Sequence, residues 1–372
     1  MKILQIGKFY PIRGGVEKVM YDLMLGLSAQ QVHCDMLCAS TEDYPASTIQ
    51  LNPFAKLMVM PTKVKLAATM LAPDMIGKLR SIAKDYDIIH IHHPDPMATL
   101  ALFLSGYKGK VMLHWHSDIL KQKMLLKAYK PLQNWLLKRA DLIVGTTPVY
   151  VAQSPFLKNF QHKIDYIPIG IPAMTYDQAS AKKIQESYNH RKIIFSLGRL
   201  VEYKGFRYLI DAARHLDDSY VVLIGGKGPL KEELEQQIAE YQLQDKVKLL
   251  GFIADEDIPS YYGASTLFCL SSIIKTEAFG IVQLEAMSCG KPIVSTDIPE
   301  SGVSWVNKKD ESGLIVPIED GLAIANAIKI ITENKEYFNK LVVAGKNRFQ
   351  SNFTLANMVD KSLQLYKQIL SN

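Results

Sequence analysis

No run of 18 apolar residues occurs in this 372-residue chain, and no stretch is of low complexity. The first absence excludes a membrane-spanning helix by pattern, and the second leaves no candidate for an extended disordered tract. Cysteine is scarce. The four, Cys34, Cys38, Cys269 and Cys289, sit on apolar strands or at a helix end, with no second pair at zinc-ligand spacing. Reduced thiols in a cytosolic protein fit this better than a disulfide framework or a metal site. Charge of one sign is in small excess: 43 Lys and Arg against 37 Asp and Glu, a net +6. That balance suits anionic ligands or an anionic membrane face, and is too weak to mark a nucleic-acid binder. No zinc finger, helix-turn-helix or aromatic RNA-binding motif accompanies it. The apolar run within Met1–Gly7 is too short for a signal peptide and reads as a first strand.

What is present is a repeated alternation of short apolar runs with helical patterns. The length suits two domains of roughly 150–200 residues. In the first half, strands are expected at Lys2–Ile6, Val32–Ala39, Asp87–Ile91, Lys110–His114, Asp141–Gly145 and Ile164–Ile167. Their near-continuous Ile, Leu and Val content is that of parallel strands covered on both faces. Val16, Val19, Met20, Leu23 and Leu27 recur at helical spacing between the first two. Pro168-Ile169-Gly170-Ile171-Pro172 and the polar residues after it read as a linker. A second series follows at Lys192–Leu197, Tyr220–Ile224, Val247–Leu250, Thr266–Leu270 and Lys291–Thr296, ending in a helical tail. The expected fold class is α/β, two doubly wound Rossmann-like domains facing a cleft. The expected division is 1–171, a linker over 172–191, 192–352, and a final helix over 353–372 returning to the N-terminal domain.

The densest chemistry lies in Glu277-Ala278-Phe279-Gly280-Ile281-Val282-Gln283-Leu284-Glu285. A helix over Gly280–Ser288 would put Glu277 in the loop before it and Glu285 just over one turn inside. A carboxylate among Ile281, Val282, Leu284, Ala286 and Met287 is costly unless donors satisfy it; a ribose diol offers two. Bare N–H groups at the helix start seat a phosphate. Arg199 and Lys204, five apart across a turn, can converge on one diphosphate, or be solvated charges paired with Glu202. Gly14-Gly15 between the first strand and its helix lets backbone approach a ligand, or only turns the chain, and it departs from G-x-G-x-x-G. Gly225-Gly226-Lys227-Gly228 reads by default as another structural turn. His116, in His114-Trp115-His116-Ser117-Asp118, stands at the carboxyl edge of a strand, where open α/β sheets place ligands. There it can meet sugar hydroxyls or loop backbone. His90, His92 and His93 read as packing in preference to metal binding. The helix 121–139 carries Lys121, Lys123, Lys127, Lys130, Lys138 and Arg139 with no acidic residue. It suits an anionic bilayer surface or a plain solvated face.

On these residues the chain resembles, over nearly its whole length, the retaining two-domain glycosyltransferases of family 4, whose fold is called GT-B. The most specific stretch is Glu277–Glu285 with the following Ala286–Val294. Arg199 and Lys204 in their Gly-Arg…Lys-Gly frame, Gly14-Gly15 and His116 match the family's positions too. His116–Lys123, Tyr129–Gln133 and Ser301–Asn307 look most like bacterial O-antigen mannosyltransferases. The resemblance implies that Glu285 binds the donor ribose and Glu277 the transferred sugar. Backbone N–H groups of Phe279, Gly280 and Ile281 would hold sugar and phosphate. Arg199 and Lys204 would neutralise the departing diphosphate, with Gly14 and Gly15 approaching it from the opposite domain. His116 would contact the sugar near the reacting carbon and orient the acceptor. Ala278 departs from the glycine many relatives carry, and alanine needs negative φ there.

The activity so implied is a retaining transferase moving a hexose, mannose from GDP-mannose first, to a lipid-linked saccharide in O-antigen-like synthesis. No cofactor or metal is expected, since side-chain cations stand where an Asp-x-Asp clamp would hold magnesium. The location implied is cytoplasmic, peripheral on the inner membrane face, with no nucleic-acid partner. UDP-glucose, UDP-galactose and UDP-GlcNAc stay open as donors. A UDP-GlcNAc epimerase shares the architecture, while a phosphorylase would need a pyridoxal lysine that nothing singles out. A non-catalytic nucleotide-sugar binder has no need of all five of Glu277, Glu285, Arg199, Lys204 and His116. A dinucleotide oxidoreductase fits neither glycine turn.

Overall fold

The computed structural model describes residues 1–41, 44–66, 69–119 and 123–371. The chain divides into two compact units, Met1–Ile171 with Leu355–Asn372, and Pro172–Thr354. In the first, the strands are β1 (Lys2–Tyr10), β2 (His33–Ser40), β3 (Ser47–Asn52), β4 (Ala55–Met60), β5 (Val64–Leu66), β6 (Thr69–Leu71), β7 (Ile88–His93), β8 (Lys110–Trp115), β9 (Leu142–Gly145) and β10 (Ile164–Tyr166). Eight form one sheet in the order β10-β9-β8-β7-β1-β2-β4-β3, and β5 pairs with β6 apart from it. Neighbours run parallel except at the β3–β4 edge, which is antiparallel. Ser47–Asn52 alternates between exposed and half-buried positions, so it lacks the continuous apolar run by which the doubly covered strands are readable. Ile3, Leu4 and Ile6 of β1 and Ile88, Ile89 and Ile91 of β7 are fully buried, and the core sits there.

The second unit carries β11 (Lys192–Leu197), β12 (Tyr220–Gly225), β13 (Val247–Gly251), β14 (Leu267–Leu270), β15 (Ile293–Thr296) and β16 (Gly313–Val316), all parallel, in the order β13-β12-β11-β14-β15-β16. The strand order reverses beside β11, where carboxyl-edge loops part to opposite faces. Its core joins Ile194, Val222, Ile224, Leu267 and Val294 of the strands to Leu209 and Ile210 of helix Phe206–Ala213 and Ile324 and Ile328 of helix Gly321–Glu333. β16 is not readable in the sequence, being four residues long and only part buried.

Several boundaries differ from those expected, the first strand running on to Tyr10 among them. The segment 172–191 is not a bare linker: it belongs to the second unit and contains the helix Gln178–Ser187. Asp177 caps it, its carboxylate accepting from Ser180 N–H at 2.7 Å. Ala181 is its one buried residue, so no apolar period betrays it. The final helix is Leu355–Ser371, two residues later than expected; Phe353 remains in the second unit, edge-on to Phe279 and Trp305. The basic helix is Lys123–Arg139, and Lys121 and Gln122 lie outside the described residues. Helix Leu355–Ser371 packs on Gly15–Ala29 where Gly26 leaves room: a Cβ there would stand 2.5 Å from Val359 Cγ2.

Candidate functional site

In the second unit the candidate residues hang on loops at the carboxyl ends of β11 and β14. Lys204 ends a short 3-10 turn, Glu202–Lys204, and Gly205 follows at φ +61°. A Cβ on Gly205 would lie 2.2 Å from the Ser271 carbonyl oxygen, so glycine permits the two loops to touch. They are stitched by Ser271 Oγ donating to Lys204 O (3.0 Å) and Ile273 N–H donating to Tyr203 O (2.8 Å). This brings the buried Lys204 ammonium 2.5 Å from the Glu277 carboxylate. Ser272 Oγ donates to the same oxygen at 3.0 Å. Burial disfavours the Lys204 cation, but the Glu277 carboxylate and the nearby Tyr203 outweigh it and hold its pKa above the usual lysine value. Pairing with Glu202, the alternative for this lysine, is not what the fold selects.

The helix is Val282–Ser288, two residues shorter than expected, because Gly280 takes φ +74° and breaks the helical path. A Cβ at Gly280 would meet Gln283 Nε2 at 2.8 Å and Leu270 Cδ2 at 2.9 Å. Ala278, the departure from glycine, is not among the residues with positive φ, so it is unstrained. Ser301 Oγ hydrogen-bonds the Glu277 carbonyl, and Gly302 N–H donates to Ala278 O at 3.0 Å, pinning the loop. The backbone N–H groups of Phe279, Gly280 and Ile281 donate to no group among the described residues. Glu285 projects from the helix and is partly buried. Burial raises its pKa above the ordinary carboxylate range, against the opposing hydrogen bond from Tyr262. That hydroxyl donates to Glu285 Oε2 at 2.7 Å, with the Val282 carbonyl 3.1 Å away.

Arg199 is exposed and makes no ion pair among the described residues. Its like charge weighs slightly against the Lys204 cation, and the two share no partner among the described residues. Its loop is held by the second glycine turn. Gly226, at φ +133°, would put a Cβ 1.8 Å from Gly198 O, and Leu200 N–H donates to Lys227 O at 2.9 Å. The turn therefore does structural duty, bracing the backbone on either side of Arg199.

In the first unit, Gly14 (φ +131°) caps the helix Gly15–Ala29, and Gly15 follows at φ +60°. Nothing stands within 4 Å of a Cβ built on Gly14, so the turn faces open space. The loop leaves the carboxyl end of β1, and His116 follows β8, with β7 between them in the sheet. His90, His92, His114 and His116 form a buried stack, with His114 and His116 rings 4.0 Å apart and His90 and His92 4.4 Å apart. Nitrogens of His90, His92 and His114 come within 4.8 Å of one another. His90 Nδ1 bonds Tyr366 Oη at 2.6 Å and His92 Nδ1 bonds His116 Nε2 at 2.8 Å. Burial holds the His90, His92 and His116 pKa values well below the usual imidazole value, and that of His114 down to about 3. These rings are neutral at pH 7. The sequence pointed to His116 and the two glutamates but missed Tyr262 and Ser272; a tyrosine on an apolar helix and a loop serine carry no signal until folding sets them beside a carboxylate.

The basic helix presents Lys127, Lys130 and Lys138 to solvent, while Arg139 lies 3.2 Å from Asp141. Beside it, helix Pro96–Ser105 exposes Leu100, Phe103 and Leu104, and the Phe103 ring stands edge-on to Trp135 at 4.9 Å. No helix of the described residues is long and apolar enough to cross a membrane.

Two Rossmann-like units, the second carrying the Lys204–Glu277 pair and the half-buried Glu285, are of the GT-B fold class, as their likeness to solved structures shows. Comparison with known proteins gives the family. A model of Glycosyltransferase Family 4 matches residues 13–173 and one of Glycosyl transferases group 1 matches residues 177–348. The chain is 30% identical to O-antigen chain mannosyltransferase C of Escherichia coli, over 100% of both chains. It is also 30% identical to the D-rhamnosyltransferase WbpZ of Pseudomonas aeruginosa, over 95% of this chain and 92% of that one. A sucrose-phosphate synthase from Thermosynechococcus elongatus superposes with a TM-score of 0.82 over 100% of both chains at 22% identity, a likeness of fold. The chain belongs to the family 4, group 1 glycosyltransferases.

Proposed function

We propose that the chain is a retaining, metal-independent mannosyltransferase that takes mannose from GDP-mannose and adds it to a lipid-linked saccharide of an O-antigen-like polysaccharide. The observation that carries this reading is the Lys204–Glu277–Ser272 cluster beside the unpartnered N–H groups of Phe279, Gly280 and Ile281, in a chain alignable end to end with an O-antigen mannosyltransferase.

The chemistry is electrostatic. As the anomeric C–O bond breaks, negative charge gathers on the nucleoside diphosphate and positive character on the sugar ring. Lys204, Arg199 and the backbone N–H groups meet the first. Glu277, fixed by Lys204 and Ser272, keeps one carboxylate oxygen for the hydroxyls of the transferred sugar. Glu285, held by Tyr262, takes the ribose diol. The acceptor hydroxyl attacks the anomeric carbon on the face the leaving group departs from, and its proton passes to the leaving phosphate oxygen. His116 orients the acceptor and Gly14-Gly15 admits the diphosphate. The solvent-facing Lys127, Lys130 and Lys138 next to Leu100, Phe103 and Leu104 support peripheral attachment to an anionic bilayer on the cytoplasmic side.

The test is a thermal-shift panel of GDP, UDP, CDP and NAD, then the sugar nucleotides, with and without EDTA, followed by transfer of labelled mannose to a lipid-linked acceptor. A ligand at 100 times its Kd stabilises by about 2.7 kcal/mol, a few degrees in midpoint. A response to GDP-mannose indifferent to EDTA is the expected result. A response confined to UDP sugars replaces the donor, and an inverted anomer in the product ends the retaining mechanism.

A further inference from the structure

His116 does not stand alone. Its Nε2 lies 2.8 Å from His92 Nδ1, and His92 Nε2 lies 2.9 Å from Gln5 Oε1. Gln5 Nε2 in turn donates to the Met20 carbonyl at 2.9 Å, with Cys34 Sγ 3.5 Å away. All three side chains are buried, Gln5 and His92 completely.

The protons along this chain follow from one fixed point. The Met20 carbonyl can only accept, so the amide nitrogen of Gln5 must face it and the amide oxygen must face His92. That oxygen also can only accept, so His92 carries its proton on Nε2. A neutral imidazole bears one proton, which leaves His92 Nδ1 bare. His116 Nε2 must then be the donor across the 2.8 Å contact, and His116 Nδ1 is left with a free lone pair. Nδ1 is the nitrogen of His116 that has no partner among the described residues. Burial, which keeps both rings neutral, closes the argument by excluding a second proton on either.

We propose that Gln5 and His92 are positioning residues that hold His116 as its Nε2–H tautomer and reserve Nδ1 as an acceptor for a substrate hydroxyl. This rests on the reading of His116 as the residue that meets sugar or acceptor. An imidazole locked this way accepts and does not donate at its free nitrogen, so it selects an O–H group and gives nothing to a phosphoryl or carbonyl oxygen. Gln5 lies 111 positions before His116, in the first strand, where it would otherwise read as a misplaced polar residue in an apolar run.

The experiment is a long-range ¹H–¹⁵N correlation of the histidine side chains in the full-length protein at pH 7.5, with His116 assigned through His116→Ala. The expected spectrum shows His116 protonated at Nε2 and bare at Nδ1; protonation at Nδ1 overturns the proposal without reference to any activity. In Gln5→Leu the lock is gone, and the two His116 tautomers should mix. Release of GDP from GDP-mannose should then fall about tenfold in kcat with a smaller change in KM, the scale of one lost orienting hydrogen bond. A single unchanged tautomer in Gln5→Leu, or unchanged kcat there beside a loss in His116→Ala, ends the positioning role. Wild-type turnover in His116→Ala instead removes the substrate-facing reading, while the spectrum still judges the tautomer. The wild-type spectrum decides even where Gln5→Leu does not fold.

Discussion

Lys204 and Glu277, 73 positions apart in the chain, meet at 2.5 Å in the interior of the second unit. Removing one partner leaves the other charge buried and unpaired, which costs about 3–5 kcal/mol. Lys204→Ala should therefore lower the melting midpoint by on the order of 10 °C and kcat by about 10²–10³-fold. Loss of turnover with an unchanged midpoint would show that the ion pair is not structural.

Arg199 separates the two effects. It is exposed and unpaired among the described residues, so Arg199→Ala should leave stability within about 0.5 kcal/mol of wild type. Its kcat should nonetheless fall about 10²-fold if the guanidinium meets the leaving diphosphate. Wild-type turnover in an Arg199→Ala, Lys204→Ala double variant would remove both from that role.

Glu285 and Tyr262 bear on donor binding. Glu285→Ala should raise the donor KM about 10–100-fold, the worth of hydrogen bonds to a charged group, with a smaller change in kcat. Because burial raises the Glu285 pKa, the carboxylate protonates at a higher pH than an exposed one. Donor affinity should weaken as pH falls toward the carboxylate range, and Tyr262→Phe should move that weakening to higher pH. Calorimetric titrations with GDP-mannose at several pH values check both.

The glutamate loop could be found in the sequence because its chemistry lies within nine residues and beside a glycine that φ +74° requires. The same holds for the Rossmann strands, whose apolar runs are local. What stayed hidden depends on long-range pairing. Tyr262 reads as an ordinary aromatic until it lies against Glu285, and Gly226 reads as a turn until its backbone presses on Gly198. The helix Gln178–Ser187 was invisible because it buries almost nothing.

The buried histidines of the first unit make it acid-sensitive. Their folded pKa values lie below the unfolded value of about 6.5, so the unfolded chain binds more protons and stability rises with pH. The stability is present above about pH 6.5 and is lost as pH falls beneath it, by about 1.4 kcal/mol per pH unit for each ring that stays neutral. Melting of the wild-type protein at pH 7.5, 6.5 and 5.5 should show a drop concentrated in the last interval. A flat profile would mean the rings are hydrated or already charged.

Peripheral attachment predicts sedimentation with vesicles containing anionic lipid and not with neutral ones, weakening as salt rises. Phe103→Ser, at an exposed position beside Trp135, should reduce that binding with little effect on turnover of a water-soluble acceptor. Equal binding to both vesicle types would dismiss the cationic face.

The last helix, Leu355–Ser371, lies on Gly15–Ala29, and its Tyr366 bonds His90 in the histidine stack. On the ribosome, residues 1–171 are finished long before this helix exists. At about 5–20 residues per second the wait is roughly 10–40 s, during which the first helix lies on its own sheet but the face around Gly26 lacks the cover that Leu355 and Val359 later give it. Nascent chains halted before residue 355 should therefore hold an incomplete first unit and recruit chaperones, and any tag or truncation at the C-terminus acts on the N-terminal half of the enzyme.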